Sequence, residues 1–327
     1  MPQDSNIYAV ARIRNLEKGL LGMERLRRMA GATLTEAMRL LCESGYGNTA
    51  EASSEKLEEM IACELGRAYD DVEALTPDKA LTDVFLLKND ILALKLLIKL
   101  RALGSPLTGT GAHRGVYKYS ELIAMVEAGE YAALPEAIRR ALNELELRLA
   151  LKVEPREISV KLDRAYCEYA LSFPNDVVRE YFKIFCDYTN LITTLRLKDN
   201  GQNLDALENS LLCAGDIPLS HFIKYYGQPA EAIVRSMDFS PARDMLMGAI
   251  ADYMRDGSIA VIERDRDDRL MKLLSDLRWD SESVYPVIGY LLAREAEARA
   301  VRLVITLKRT GFGEETITER LRELYVR

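Results

Sequence analysis

Apolar residues recur every three or four positions along almost the whole chain, and no segment alternates as a strand does. Leu16, Leu20, Leu21, Met23, Leu26, Met29, Leu34, Met38 and Leu41 keep this spacing, with a break near Gly31. Two short helices are predicted there. The second opens at Thr33 or Thr35, either a suitable N-cap, and closes at the Gly45–Tyr46–Gly47 turn. Residues 54–75 read as a helix with a Ser–Ser–Glu cap that stops before Thr76–Pro77. The strongest helical pattern spans 78–103 and ends at Gly104–Ser105–Pro106, a doubled stop signal. The predicted fold class is all-α.

Turn-forming residues cluster at SPLTGTGAHRGVY (105–117) and KDNGQN (198–203), with a softer break at SFPND (172–176). The first two predict boundaries near 108 and 203, and so three helical repeats over 1–108, 109–203 and 204–327. The strong helices also align without gaps: LKNDILALKLLIKLRALG (87–104), IFCDYTNLITTLRLKDNG (184–201) and REAEARAVRLVITLKRTG (294–311). Each block has a carboxylate (Asp90, Asp187, Glu297), a base eleven residues later (Arg101, Lys198, Lys308) and a glycine fourteen residues later (Gly104, Gly201, Gly311). Offsets four, eight and ten are apolar in all three, and offset seven is apolar except at Thr194. Long helices with one shared ending are what a triplicated unit leaves behind.

At about 100° per residue these offsets fall on one broad helical stripe, with acid and base about 16 Å apart along the axis. They are too far apart to pair. The base suits the negative end of the helix dipole, and glycine suits the left-handed position after the last turn. The acid opposes no dipole where it stands, so it is expected to meet a partner from a neighbouring helix, with Arg164 in KLDRAY as the candidate. These nine positions read as structural.

Composition narrows the function. Hydrophobic residues make up 48% and charged residues 29%, a globular balance. With 44 basic and 51 acidic side chains, a net of −7, the chain is a poor phosphate-backbone binder, and no nucleic-acid partner is expected. Cys42, Cys63, Cys167, Cys186 and Cys213 form no CxxC pair, so reduced thiols are expected rather than a disulfide framework or zinc ribbon. The opening MPQDSNIYAVARIRNLEKG lacks the apolar core of a signal peptide. The most apolar stretch, FLLKNDILALKLLIKLRAL, is interrupted by Lys88, Asp90, Lys95, Lys99 and Arg101. A bilayer span needs about 20 mostly apolar residues, so none is expected.

Candidate chemistry is sparse. His113, in the linker, and His221, at a helix start, are too few for a histidine base or a metal cluster. GTGAHRG (109–115) follows a helix and lacks the Lys–Ser/Thr pair of a phosphate loop, so it reads as linker. ERDRDDR (263–269) interleaves Arg264, Arg266 and Arg269 with Asp265, Asp267 and Asp268, which predicts a solvated helix face with local ion pairs. EKLEEM (55–60) reads as an exposed face. No catalytic, cofactor-binding or metal residue is assigned, and no cofactor is expected.

Taken in order, several segments resemble the C subunit of the V-type (A-type) ATP synthases, in a family that includes the d subunit of eukaryotic vacuolar ATPases. YAVARIRNLEKGLL (8–21) is similar to its aromatic–small–Arg–x–Arg opening, and LTEAMRLLCESGYG (34–47) to its short helix with a Tyr–Gly turn. The 87–104 block resembles its Asp–x–x–Asn–Leu–Lys helix, with Ala93 where Asn is usual. LDRAYCEY (162–169) and CDYTNLITTLRLK, which keeps Asn190, resemble its central elements. Residues 294–321 resemble its closing Glu–x–x–x–x–Arg helix, with Ala300 in place of a common Asn. The resemblance implies three similar helical bundles around a pseudo-threefold axis, forming a funnel. It implies a non-catalytic adaptor, one copy per complex, peripheral on the cytoplasmic face of the membrane. Its partners would be the central-stalk subunits and the proteolipid rotor ring, and its role transmission of torque for proton or sodium transport. The alternatives are a generic helical-repeat scaffold for another cytosolic protein and an all-helical enzyme. Repeat spacings of 97 and 110 residues between the carboxylates exceed the 20–45 of a solenoid, and no DDxxD run is present for the enzyme.

Overall fold

A computed structural model of the chain describes residues 5–47, 53–109, 113–149, 154–237 and 242–325. Among them the helices are α1 (Asn6–Leu16), α2 (Met23–Gly31), α3 (Leu34–Glu43), α4 (Leu57–Leu75), α5 (Lys79–Ala102), α6 (Tyr119–Ala128), α7 (Glu136–Leu149) and α8 (Pro155–Ser172). They continue with α9 (Asp176–Asp199), α10 (Leu204–Glu208), α11 (Leu219–Tyr225), α12 (Ala230–Arg235), α13 (Ala242–Asp256), α14 (Ile259–Asp276), α15 (Tyr285–Arg309) and α16 (Glu314–Arg320). No strand occurs among the described residues, so the fold is all-α. Contacts divide the chain into two compact units, Met1–Phe85 with Asp267–Arg327, and Leu86–Arg266.

The first unit is built on α15. Residues Pro286 to Ala293 are buried without interruption, because Val, Ile, Leu, Tyr and Ala occupy every side of the helix there. A helix apolar all round belongs in an interior, and α1, α2, α3, α4 and α16 pack on it. Its core joins Leu26, Met29, Leu41 and Ile61 to Val301, Val304 and Ile305. Thr33 caps α3 by accepting the Glu36 N–H at 3.3 Å. Ser53 starts the turn that leads into α4, and Thr76 ends it. In the EKLEEM run Leu57 and Met60 are buried, while Glu58 is exposed and meets Arg302 at 2.7 Å.

In the second unit α9 is central, capped by Asn175, which accepts the Val178 N–H at 3.0 Å. Tyr188, Leu191 and Leu195 of α9 meet Leu207, Ile217, Phe222, Ile233 and Leu246. Helix α8 packs on α9, with Tyr166 and Phe182 edge to face at 5.3 Å. Helices α7 and α8 run antiparallel, as their pairs Arg140–Glu168, Glu144–Lys161 and Arg148–Glu157 show by their reversed order. These pairs line a groove of about 600 Å³, and the charges in it answer one another across the two helices.

ERDRDDR differs from its expected form. All seven residues are half-buried in α14, and all four of its carboxylates reach other elements, Asp268 by accepting the Glu323 N–H at 2.7 Å. Glu263 pairs with Arg196, Asp265 accepts the Tyr188 hydroxyl, and Asp267 meets Arg322 at 3.1 Å. A run with both signs at every turn can dock against several neighbours, which the sequence pattern alone does not reveal.

Candidate functional site: three acid–base braces

Each of the three carboxylates singled out in the sequence is buried and grips a loop. Asp90, on α5, is fully buried; its Oδ2 accepts the Val116 N–H at 2.7 Å and its Oδ1 the Tyr117 N–H at 3.3 Å. The His113 Nε2 is 2.9 Å from Oδ1 and 3.0 Å from the Tyr117 carbonyl. Facing two acceptors, that nitrogen carries the proton. In the last turn of α5, Arg101 donates to the Val126 carbonyl in the last turn of α6 and to Glu146 at 2.8 Å.

The same construction recurs on α9. Asp187 accepts the N–H groups of Gly215, Asp216 and Ile217 at 3.2, 2.9 and 3.3 Å. Lys198 donates to the carbonyls of Tyr226 and, at 2.6 Å, Gln228, just past α11. On α15, Glu297 accepts the Leu21 N–H, the Tyr46 hydroxyl at 2.6 Å and the Arg294 Nη1 at 2.9 Å. Lys308 donates to the Ala30 carbonyl of α2 at 2.7 Å.

The register is identical in all three. The residue just before the N-cap of the short helix (Tyr117, Ile217 or Leu21, before Lys118, Pro218 or Gly22) gives its N–H to the acid. The carbonyl eight residues after that N-cap (Val126, Tyr226 or Ala30) receives the base. Eleven residues of long helix, about 16 Å, therefore span one short helix end to end. The acid stands at the short helix's positive end and the base at its negative end, so each brace complements a dipole as well as filling hydrogen bonds. Every long helix ends alike: Gly104, Gly201 and Gly311 have φ of 64°, 63° and 85°. The next N–H (Ser105, Gln202 or Phe312) bonds the carbonyl five back at 2.9, 2.9 and 3.0 Å. This is the Schellman closure that only a left-handed residue permits without strain.

Burial raises the Asp90 carboxyl above its ordinary range, against the pull of the Val116 and Tyr117 N–H groups and His113. Burial likewise raises Glu297, against Arg294, Tyr46 and the Leu21 N–H. It pushes Asp187 up to about 7, against three backbone donors. For Asp187 the linkage has a definite sign. Below about pH 4 the carboxyl is protonated in both states. Between about 4 and 7 the unfolded chain ionises first, so stability falls as pH rises, by about 4 kcal/mol in all, and is then level. Denaturation midpoints of the wild type and D187N across this range should therefore diverge, the variant declining less because only Asp90 and Glu297 then contribute; parallel profiles would refute the assignment.

The expected acid partner is corrected. Arg164 donates to the carbonyls of Leu211 and, at 2.7 Å, Glu208, and binds none of the three carboxylates. The partners are chiefly backbone amides of loops, because a buried carboxylate is best satisfied by several fixed N–H donors. His113, read as a linker residue, is instead part of the first brace. His221 is buried, with Nε2 2.6 Å from the Ile233 carbonyl. Within GTGAHRG, residues 110–112 lie outside the described residues. One sequence signal for the loops existed. Gly19, Gly115 and Gly215 each stand three residues before the N-cap of a braced helix. A Cβ on Gly115 would strike the Asp90 carboxylate, and one on Gly215 would lie 2.5 Å from both Asp187 Oδ1 and the Lys183 carbonyl. Among the described residues, no group of three His, Cys, Asp or Glu side chains is arranged to hold a metal ion. No described helix is long and apolar enough to cross a membrane.

Three long helices, each clamping a short one by the same acid, base and glycine, define an all-helical protein with internally repeated construction. The sequence profile of the ATP synthase (C/AC39) subunit family matches residues 9–320, and the chain belongs to that family. It is 24% identical to the C subunit of the A-type ATP synthase of Thermococcus kodakarensis, over 95% of this chain and 89% of that protein. It is 20% identical to the C subunit of the V-type sodium ATPase of Enterococcus hirae, over 81% of each. With the C subunit of the A-type ATP synthase of Methanothermobacter thermautotrophicus it shares 25% identity over 62% of this chain, which spans about half (53%) of that relative's length.

Proposed function

We propose that this chain is the non-catalytic rotor adaptor of a V-type or A-type rotary ATPase, seating the foot of the central stalk on the proteolipid ring. Family membership across residues 9–320 carries this reading. The braces support it physically. A part that transmits torque must resist shear between its helices, and a short helix pinned at both ends by buried, hydrogen-bonded groups cannot slide along its neighbour. In this proposal the nine brace positions mark three copies of one bundle, over 1–108, 109–203 and 204–327, arranged around a pseudo-threefold axis. The chain would act as one peripheral copy per complex on the cytoplasmic face, in transport of protons or sodium ions.

Purified central-stalk subunits from the same organism should co-elute with this chain on size exclusion, and truncating the stalk's foot should abolish co-elution. Unchanged binding after truncation, or ATP hydrolysis by the isolated chain, would overturn the proposal.

A further inference from the structure

We propose that Trp279, clamped between Arg14 and Arg278, anchors this chain to an acidic protein surface within its own complex. This rests on the adaptor role above. Trp279 is the chain's only tryptophan and is 76% exposed, ahead of Ile7 at 52% among the outward apolar residues of this unit. The guanidinium carbon of Arg14 is 4.4 Å from the indole centroid and that of Arg278 is 5.2 Å. Both arginines are fixed from beneath by the buried Glu17: Arg14 Nη1 reaches its Oε2 at 2.8 Å, and Arg278 Nε and Nη2 reach the same oxygen at 3.0 and 2.8 Å.

Trp and Arg are the residues that dominate binding hot spots. Here the pair is already immobilised, so little side-chain entropy remains to be lost on docking. The loop that carries Trp279 is tied to the start of α1, where the Asn6 side chain donates to the Glu282 carbonyl at 2.5 Å.

Charge selects the partner. Two guanidinia share one carboxylate oxygen, each retains unspent N–H donors, and the exposed Lys18 follows Arg14 by four residues, in a chain whose net charge is −7. The adjacent Asp280 is engaged in its own loop, accepting the Glu282 N–H at 2.9 Å. The complementary surface offers carboxylates around a recess the size of an indole. A lipid surface fits less well. A helix lying on a membrane presents a whole apolar face, whereas Ala9, Val10 and Ile13 of α1 are buried in the protein.

The test measures binding of the full chain to the complex assembled from the same organism's other subunits without it. W279A should bind about 10-fold or more weakly, W279F should fall between, and both should keep wild-type helicity and melting temperature. Raising NaCl from about 50 to about 300 mM should weaken the wild type. W279A binding as tightly as wild type overturns the proposal. So does a loss confined to phosphatidylglycerol vesicles, which would assign the patch to lipid. Failure of the wild type itself to bind would instead overturn the adaptor role, and this proposal with it.

Discussion

Glu297→Ala should destabilise the protein by about 4 kcal/mol, the cost of breaking a buried ion pair from one side. Three donors lose their acceptor at once: the Leu21 N–H, the Tyr46 hydroxyl and the Arg294 guanidinium. Arg294 is only 5% exposed, so its charge has no route to water without moving α15. Of its remaining contacts, the Tyr290 hydroxyl at 3.2 Å is neutral and Glu64 at 3.5 Å is the more distant of its two carboxylates, so neither replaces the 2.9 Å pair with Glu297. Glu297→Gln should cost less, since the amide oxygen still accepts from Leu21. Urea denaturation gives the ordering. Amide exchange adds a local readout: the Leu21 N–H should exchange much faster in E297A while amides of α9 are unaffected. Equal exchange in both regions would show that Glu297 does not hold the start of α2.

Gly215→Ala should cost about 3 kcal/mol, at the upper end of the overpacking range. The added methyl would be 2.5 Å from the Lys183 carbonyl, a backbone atom of α9 that cannot rotate aside, and from the carboxylate that grips the loop. Either the loop lifts off Asp187 and up to three N–H bonds weaken, or α9 shifts. The control is Gly248→Ala inside α13, where nothing lies within 4 Å of the new carbon. There alanine should stabilise by about 0.5–1 kcal/mol through helix propensity alone. Opposite signs for one chemical change isolate the close approach as the cause. A cost at Gly215 no larger than a few tenths would mean that the second loop is not clamped as tightly as the geometry requires.

The two substitutions probe one device from different sides. Glu297 supplies the acceptor in the brace joining the last long helix to α2, near the other end of the chain. Gly215 supplies the clearance in the brace of α9. In each case the long helix contributes the charged side chain and the loop contributes mainly backbone N–H groups, so apart from Gly19, Gly115 and Gly215 the loop half leaves little signature in residue type.

That asymmetry explains what could be read beforehand. Helical periodicity, the stop signals at Gly104, Gly201 and Gly311, and the acid–base–glycine spacing are local properties, set within one helix by its own rise and by the φ that glycine tolerates. The sequence by itself therefore determined the all-α class, the ends of the long helices and the recurrence of Asp90, Asp187 and Glu297. It did not determine what those carboxylates bind. Their partners are N–H groups, which every residue but proline possesses, so Val116, Ile217 and Leu21 carry no mark of their role; neither did His113, nor the half-buried ERDRDDR run. Only the tertiary structure decided these. A buried charge takes whichever fixed donors the fold brings near, across 26 residues for Asp90 and Val116 and 276 for Glu297 and Leu21, and proximity over such distances is a property of the packed chain, not of any segment within it.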